Sequence, residues 1–127
     1  MTLVVDASAI SAVIFGEPNG ATIAAHLEDE SLVAPALIDY ELANIAWKKI
    51  RRHPAQQVQL SVAFAALQRL QITRLSVPIT DVVSLAVDTG LTACDACYLW
   101  LAMAQDVELV TLDKELARIN EALREPP

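Results

Sequence analysis

Asp95 is the only charged residue between Thr92 and Gln105, in a stretch that reads Thr-Ala-Cys-Asp-Ala-Cys-Tyr-Leu-Trp-Leu-Ala-Met-Ala-Gln. Read as one helix over Ala93–Gln105, the segment is apolar nearly all round and is expected to be buried. An ionised carboxylate in such a place costs several kcal/mol unless a partner or a cation offsets it. Three other acids stand where they could share that site. Asp6 ends the run Leu3-Val4-Val5, Asp113 follows Val107–Thr111, and Glu41 lies early in a helix with Asn44 one turn later on the same face. Four carboxylates about 6 Å apart repel by roughly 3 kcal/mol per pair at an effective dielectric near 20. Summed over all pairs, that exceeds the net stability of most domains. Either several protons are retained or a divalent cation sits among them. All-oxygen donors without His or Cys suit Mg²⁺ or Mn²⁺ rather than zinc. Such a centre makes bound water easier to deprotonate and stabilises charge growing on a phosphate, while a free carboxylate, Glu41 or Asp113, could orient the attacking water.

Each acid also has a plainer reading. Thr92 and Asp95 have the spacing of a capping box, Asp6 and Asp113 can cap helices, and Glu41 can be a solvated helix residue. What favours the chemical reading is the placement of all four with respect to the elements around them.

Those elements alternate. Leu3–Val5 reads as a parallel strand covered on both faces, and Ala7–Phe15 as the helix that follows it. A short helix over Ala21–Leu27 leads to a strand at Leu32–Ala34 closed by Pro35. Ala36–Arg52 is the clearest helix, with Leu37, Tyr40, Ala43, Trp47 and Ile50 as its apolar stripe. Pro54 ends it and opens a helix up to Leu70. Ile72–Leu75 is a third strand, Pro78–Thr89 a helix stopped by Gly90, Val107–Thr111 a fourth strand and Lys114–Leu123 the last helix. The pattern predicts one α/β domain over residues 1–127, with a mainly parallel sheet of four to five strands flanked by helices. Apart from the Glu-Pro-Pro tail there is no low-complexity segment. In open parallel sheets ligands bind beyond the carboxyl ends of the strands, which is where this layout puts the acids.

Hydrophobic residues make up 54% of the 127, enough for a core and an apolar subunit interface. A formal charge of −7 excludes coating nucleic acid by bulk charge, but not a local basic strip beside an acidic centre. Lys48-Lys-Ile-Arg-Arg52 is that strip. Lys48 shares a helix face with Glu41, and Arg52 lies one turn further, so both could guide a phosphate backbone. A solvated helix end is the alternative. Met1–Asp6 lacks a basic leader, and the longest run free of formal charge, Pro54–Gln68, is too short and glutamine-rich to span a bilayer. The expectation is a cytoplasmic protein with no membrane partner. Cys94 and Cys97 spell C-x-x-C without a second ligand pair and read best as buried small apolar residues. His26 and His53 read as surface histidines. Tyr98 lies one turn beyond Asp95 and within possible reach of it.

Val4-Val-Asp-Ala-Ser8, Glu41 with Asn44, Cys94-Asp-Ala-Cys-Tyr-Leu-Trp-Leu-Ala102 and Leu109-Val-Thr-Leu-Asp113 resemble, in order, the motifs of PIN-domain nucleases. The length is similar to that of the VapC-type toxins of toxin–antitoxin pairs. The resemblance implies a metal-dependent endoribonuclease whose Asp6, Glu41, Asp95 and Asp113 hold Mg²⁺ or Mn²⁺, with Ser8, Asn44 and Thr111 in support. It also implies an RNA substrate, a homodimer, and a cognate antitoxin that docks near the site. The family commonly carries a larger side chain where this chain has Cys94. Competing readings are a non-catalytic RNA- or protein-binding module on the same scaffold, or an RNA-processing nuclease outside toxin–antitoxin systems. A receiver domain would need an acceptor Asp ending the third strand, where Leu75-Ser-Val77 offers none. An aspartate-nucleophile phosphatase would need Asp-x-Asp, but Ala7-Ser8 follows Asp6.

Overall fold

Four short strands carry the molecule, and all of them run in the same direction. A computed structural model describes residues 1–125; Pro126 and Pro127, which end the tail and the expected 1–127 domain, lie outside the described residues. Strands β1 (Thr2–Val5), β2 (Ser31–Pro35), β3 (Thr73–Leu75) and β4 (Glu108–Val110) form one sheet in the order β3-β2-β1-β4, with every pairing parallel. Val4 stands opposite Val33 on one side and Leu109 on the other. Central strands covered on both faces need unbroken apolar runs, and Val4, Val5 and Ala34 are fully buried.

Helices α1 (Ala7–Ile14), α2 (Gly20–Leu27), α3 (Ile38–Arg52), α4 (Gln57–Ala65), α5 (Ile79–Thr89), α6 (Ala93–Gln105) and α7 (Lys114–Arg124) flank the sheet. The expected Pro54–Leu70 helix is α-helical only over α4, with 3₁₀ turns at Pro54–Gln56 and Ala66–Leu70. Gly90, at φ +78°, takes the left-handed conformation that stops α5, as expected of a residue without Cβ. Helix α6 packs on β1, β2, β4, α5 and α7. Its buried residues run from Ala96 to Ala102, whereas Cys94 at its start and Met103 near its end are exposed. Cys94 is therefore not the buried apolar residue the sequence suggested; only Cys97 is.

The apolar stripe expected on α3 is also corrected. Ile38, Leu42 and Ala46 face the core, while Tyr40 is 79% and Trp47 53% exposed. The helix carries two apolar stripes offset by about 100°. The one made of smaller side chains lies inward, and the one bearing the large aromatics lies outward. The chain turns at Ala36 and Leu37 after β2, so the helix starts two residues later than its composition indicates.

Close approach of α2 to α1 depends on Gly20, where a Cβ would stand 2.2 Å from the carbonyl oxygen of Ala12. Gly20→Ala should therefore lower stability by about 1–3 kcal/mol, read from the urea unfolding midpoint. An unchanged midpoint would show that the two helices are not held that tightly.

Candidate active site

Asp6 is the anchor of the carboxyl edge of the sheet. Its backbone N–H bonds to the Val110 carbonyl of β4 at 3.2 Å, and its side chain is 4% exposed. Oδ1 accepts from the Ala9 amide at 2.9 Å, capping α1, and from Ser8 Oγ at 2.7 Å. Oδ2 accepts from Thr111 Oγ1 at 2.5 Å. Ser8 in turn accepts from the Leu112 amide at 2.9 Å, and Thr111 from the Asp113 amide at 3.0 Å. Two hydroxyls thus tie the start of α1 to the loop between β4 and α7. Asp113, exposed, caps α7 through Oδ1 and the Leu116 amide at 2.9 Å.

On the other side, Thr92 caps α6 by accepting from the Asp95 amide at 3.1 Å. The reciprocal half of a capping box, Asp95 to the Thr92 amide, is not formed among the described residues, and the Asp95 carboxylate is half-buried. Glu41 comes from the first turn of α3. Tyr98, buried one turn beyond Asp95, donates to Glu41 Oε1 at 2.5 Å. It holds Glu41, not Asp95 as the helical spacing alone suggested.

The electrostatics close a ring. Burial raises the Asp6 carboxyl above its usual range, hydrogen bonds from Thr111, Ala9 and Ser8 pull it back, and Asp113 adds repulsion. Burial likewise raises Glu41, opposed by the Tyr98 bond and reinforced by Asp95 and Asp6. Burial and then Asp113 raise Asp95, against the Thr92 bond. Each acid is therefore a repelling neighbour of two others: Asp6–Glu41–Asp95–Asp113 and back to Asp6. Among the described residues none of the four is ion-paired; the salt bridges of Lys49, Arg74, Arg118, Arg124, His26 and Met1 go elsewhere. Among the same residues, no group of three or more His, Cys, Asp or Glu side chains stands ready to hold a metal ion. Asp6, Glu41 and Asp113 each spend at least one oxygen on a neighbouring donor. The donor set still fits a hard divalent cation: only carboxylate oxygens, mutually repelling and without a positive side chain between them.

A cavity of about 360 Å³ adjoins this edge, lined by Ser8, Leu112, Lys48, Lys49 and Arg52 and also by Glu17, which pairs with Lys49. Lys48 and Arg52 thus share a cavity with Ser8, whereas Asn44 is exposed on α3 with no hydrogen bond to the four acids among the described residues. Sequence reasoning did not assign Tyr98 to Glu41. Its signal was a lone phenolic hydroxyl in an otherwise apolar helix, which needs a polar partner when buried. A second cavity, about 510 Å³, is apolar and opens beside Cys94 and Cys97, between β2, β3, α5 and α6. Both histidines are exposed, and His26 bonds to Glu108 at 2.9 Å.

A model of the PIN domain matches residues 3–122. Ribonuclease VapC3 of Pyrobaculum aerophilum is 34% identical over 131 residues, an alignment that takes in 99% of this chain and 100% of that protein. Among solved structures, the crystal structure of PAE2754 from Pyrobaculum aerophilum matches with a TM-score of 0.75 at 27% identity, covering 97% of this chain and 95% of that one.

Two expectations follow from the site. The Tyr98 bond lowers the proton affinity of Glu41, so Tyr98→Phe should move the Glu41 carboxyl midpoint upward in a ¹³C NMR titration of the metal-free protein. No movement would mean the bond is not made in solution. Because the folded state holds the Asp95 proton more tightly than the unfolded chain, wild type should lose stability relative to Asp95→Asn as pH rises from the ordinary aspartate value of 3.8 through the raised folded value. Denaturant midpoints of the two proteins in chelator, compared across pH 4–7, give the sign; a constant difference would exclude a raised Asp95.

Proposed function

The chain belongs to the PIN-domain family, and on that premise we propose that it is a metal-dependent endoribonuclease acting as the toxin of a type II toxin–antitoxin pair. The observation that carries the reading is the closed ring of Asp6, Glu41, Asp95 and Asp113, four carboxylates that repel one another with no cation from the chain among them. These residues would hold Mg²⁺ or Mn²⁺, with Ser8 and Thr111 fixing Asp6. When bound, the cation supplies a more acidic water and an electrophilic contact to the scissile phosphate. Tyr98 fixes one oxygen of Glu41 and leaves the other to orient water; Asp113, at the exposed rim, can take up a proton from it. Lys48 and Arg52 would meet the phosphates of the strand on its way in.

Exposed apolar surface supports the partners. Ile79, Val83 and Val87 line one exposed face of α5 at helical spacing, continuous through Ile79 and Val83 with the cavity beside Cys94, which favours an apolar partner there. The apolar cavity beside Cys94 offers a cognate antitoxin anchorage close to Asp95. The same reading places the protein in the cytoplasm, where its RNA substrate is.

A single-stranded RNA probe tests the chemistry. Wild type should cleave it with Mg²⁺ or Mn²⁺ and lose activity in chelator. Asp6→Asn and Asp95→Asn should each lower the rate on the order of 10²-fold or more, by gel assay of initial rates. Equal cleavage by both variants would place the reaction elsewhere or in a contaminant.

A further inference from the structure

We propose that the outward surface at the C-terminal end of α3 is a stacking platform for single-stranded RNA, with Trp47 receiving a base while Lys48, Arg51 and Arg52 take the flanking phosphates. The inference rests on the ribonuclease reading and names how the substrate is held outside the acidic centre.

Two cavities share a wall. One runs from Ser8 and Leu112, beside the acids, to Lys48 and Arg52. The other, of about 380 Å³, is lined by Trp47, Lys48, Arg51 and Arg52. Because Lys48 and Arg52 line both, the two cavities adjoin, and the first reaches Ser8, which donates to Asp6. Trp47 is half exposed, an uncommon state for so large an apolar side chain, and the Arg51 guanidinium lies 5.2 Å from its ring centroid. Among the described residues Lys48, Arg51 and Arg52 have no acidic partner, whereas Lys49 turns to Glu17 at 3.1 Å and to the Phe15 ring.

Charge decides the occupant. The chain carries −7 overall, yet four of its nine basic residues fall within Lys48–Arg52. A positive groove beside an exposed aromatic is the combination that binds unpaired strands, since every base has a face to stack and duplexes hide theirs. A second copy fits less well. An isologous contact through this face would bring three unpaired cations toward their own counterparts. A neutral or basic peptide gains nothing from them either.

The test uses the full chain with Asp95→Asn to stop cleavage and Trp100→Phe to leave Trp47 as its only indole. The probes are a 12-mer of riboadenylate and a 12-mer of abasic ribose phosphate. The riboadenylate strand should quench Trp47 fluorescence and bind more tightly than the abasic one. Trp47→Ala should weaken riboadenylate binding by about 5- to 150-fold and leave abasic binding unchanged, with Trp47→Phe retaining most of the affinity. Lys48→Ala with Arg52→Ala should weaken both strands and flatten the salt dependence. Equal affinity of wild type for the two strands, no binding of riboadenylate, or an equal effect of Trp47→Ala on both strands overturns the proposal. So does dissociation of a dimer by Trp47→Ala in sedimentation velocity with no base-dependent loss. Stacking of the 12-mer by a chain whose wild type cleaves no RNA would keep this inference and remove the nuclease reading.

Discussion

The structure turns on the burial of one carboxylate. Asp6 sits at the end of the central strand with almost no exposure, and its two oxygens collect an amide from α1, a hydroxyl from Ser8 and a hydroxyl from Thr111. Those donors hold a charge that the interior would otherwise reject. They also fasten the first strand-to-helix turn to the last one across the sheet, so the two ends of the sequence meet at a single atom group. A folded chain could satisfy Asp6 with an arginine instead. This one uses neutral donors, which stabilise the carboxylate without cancelling its charge. The charge stays available to whatever enters from outside.

Capping and chemistry are not competing explanations here. Asp6 caps α1, Thr92 caps α6 and Asp113 caps α7, so three helix starts point at one edge. Each helix N-terminus adds a partial positive charge that makes nearby carboxylates easier to bear. Even so, burial and mutual repulsion win at Asp6, Glu41 and Asp95, all of which stay above their ordinary proton affinity. The apo site is under electrostatic tension that capping reduces and does not remove. A cation bound there would relieve it, and its binding would be coupled to stability through the same groups.

How far the sequence could be read follows from how local each signal is. Strands β1 and β2, the stop at Gly90 and the span of α6 rest on short-range rules and were legible, as were the helix caps at Asp6, Thr92 and Asp113. The inward face of α3 was not, because its two apolar stripes are equally periodic and only the packing against α1 and the sheet selects Ile38, Leu42 and Ala46. The partner of Tyr98 was missed for a related reason: spacing within a helix reports neighbours on that helix, and Glu41 belongs to another one. Cys94 was misplaced because an apolar composition does not say which turn of α6 emerges from the core.

The outward turn of Tyr40 and Trp47 explains the distribution of charge along α3. A helix that exposes large aromatics risks sticking to other apolar surfaces. Near Trp47 the chain places cations on three neighbouring positions, which keeps the indole solvated and unattractive to an apolar partner. The same cations lie several turns from the acids at the other end of the helix, so α3 is a bar with opposite charges at its two ends. A polyanion approaching it is drawn to the basic end and repelled by the bare carboxylates. On the proposed nuclease reading, a divalent cation would reverse that sign at the ring, and contact and reaction would be separated along one helix, with Lys48–Arg52 holding the strand and the loaded ring receiving it.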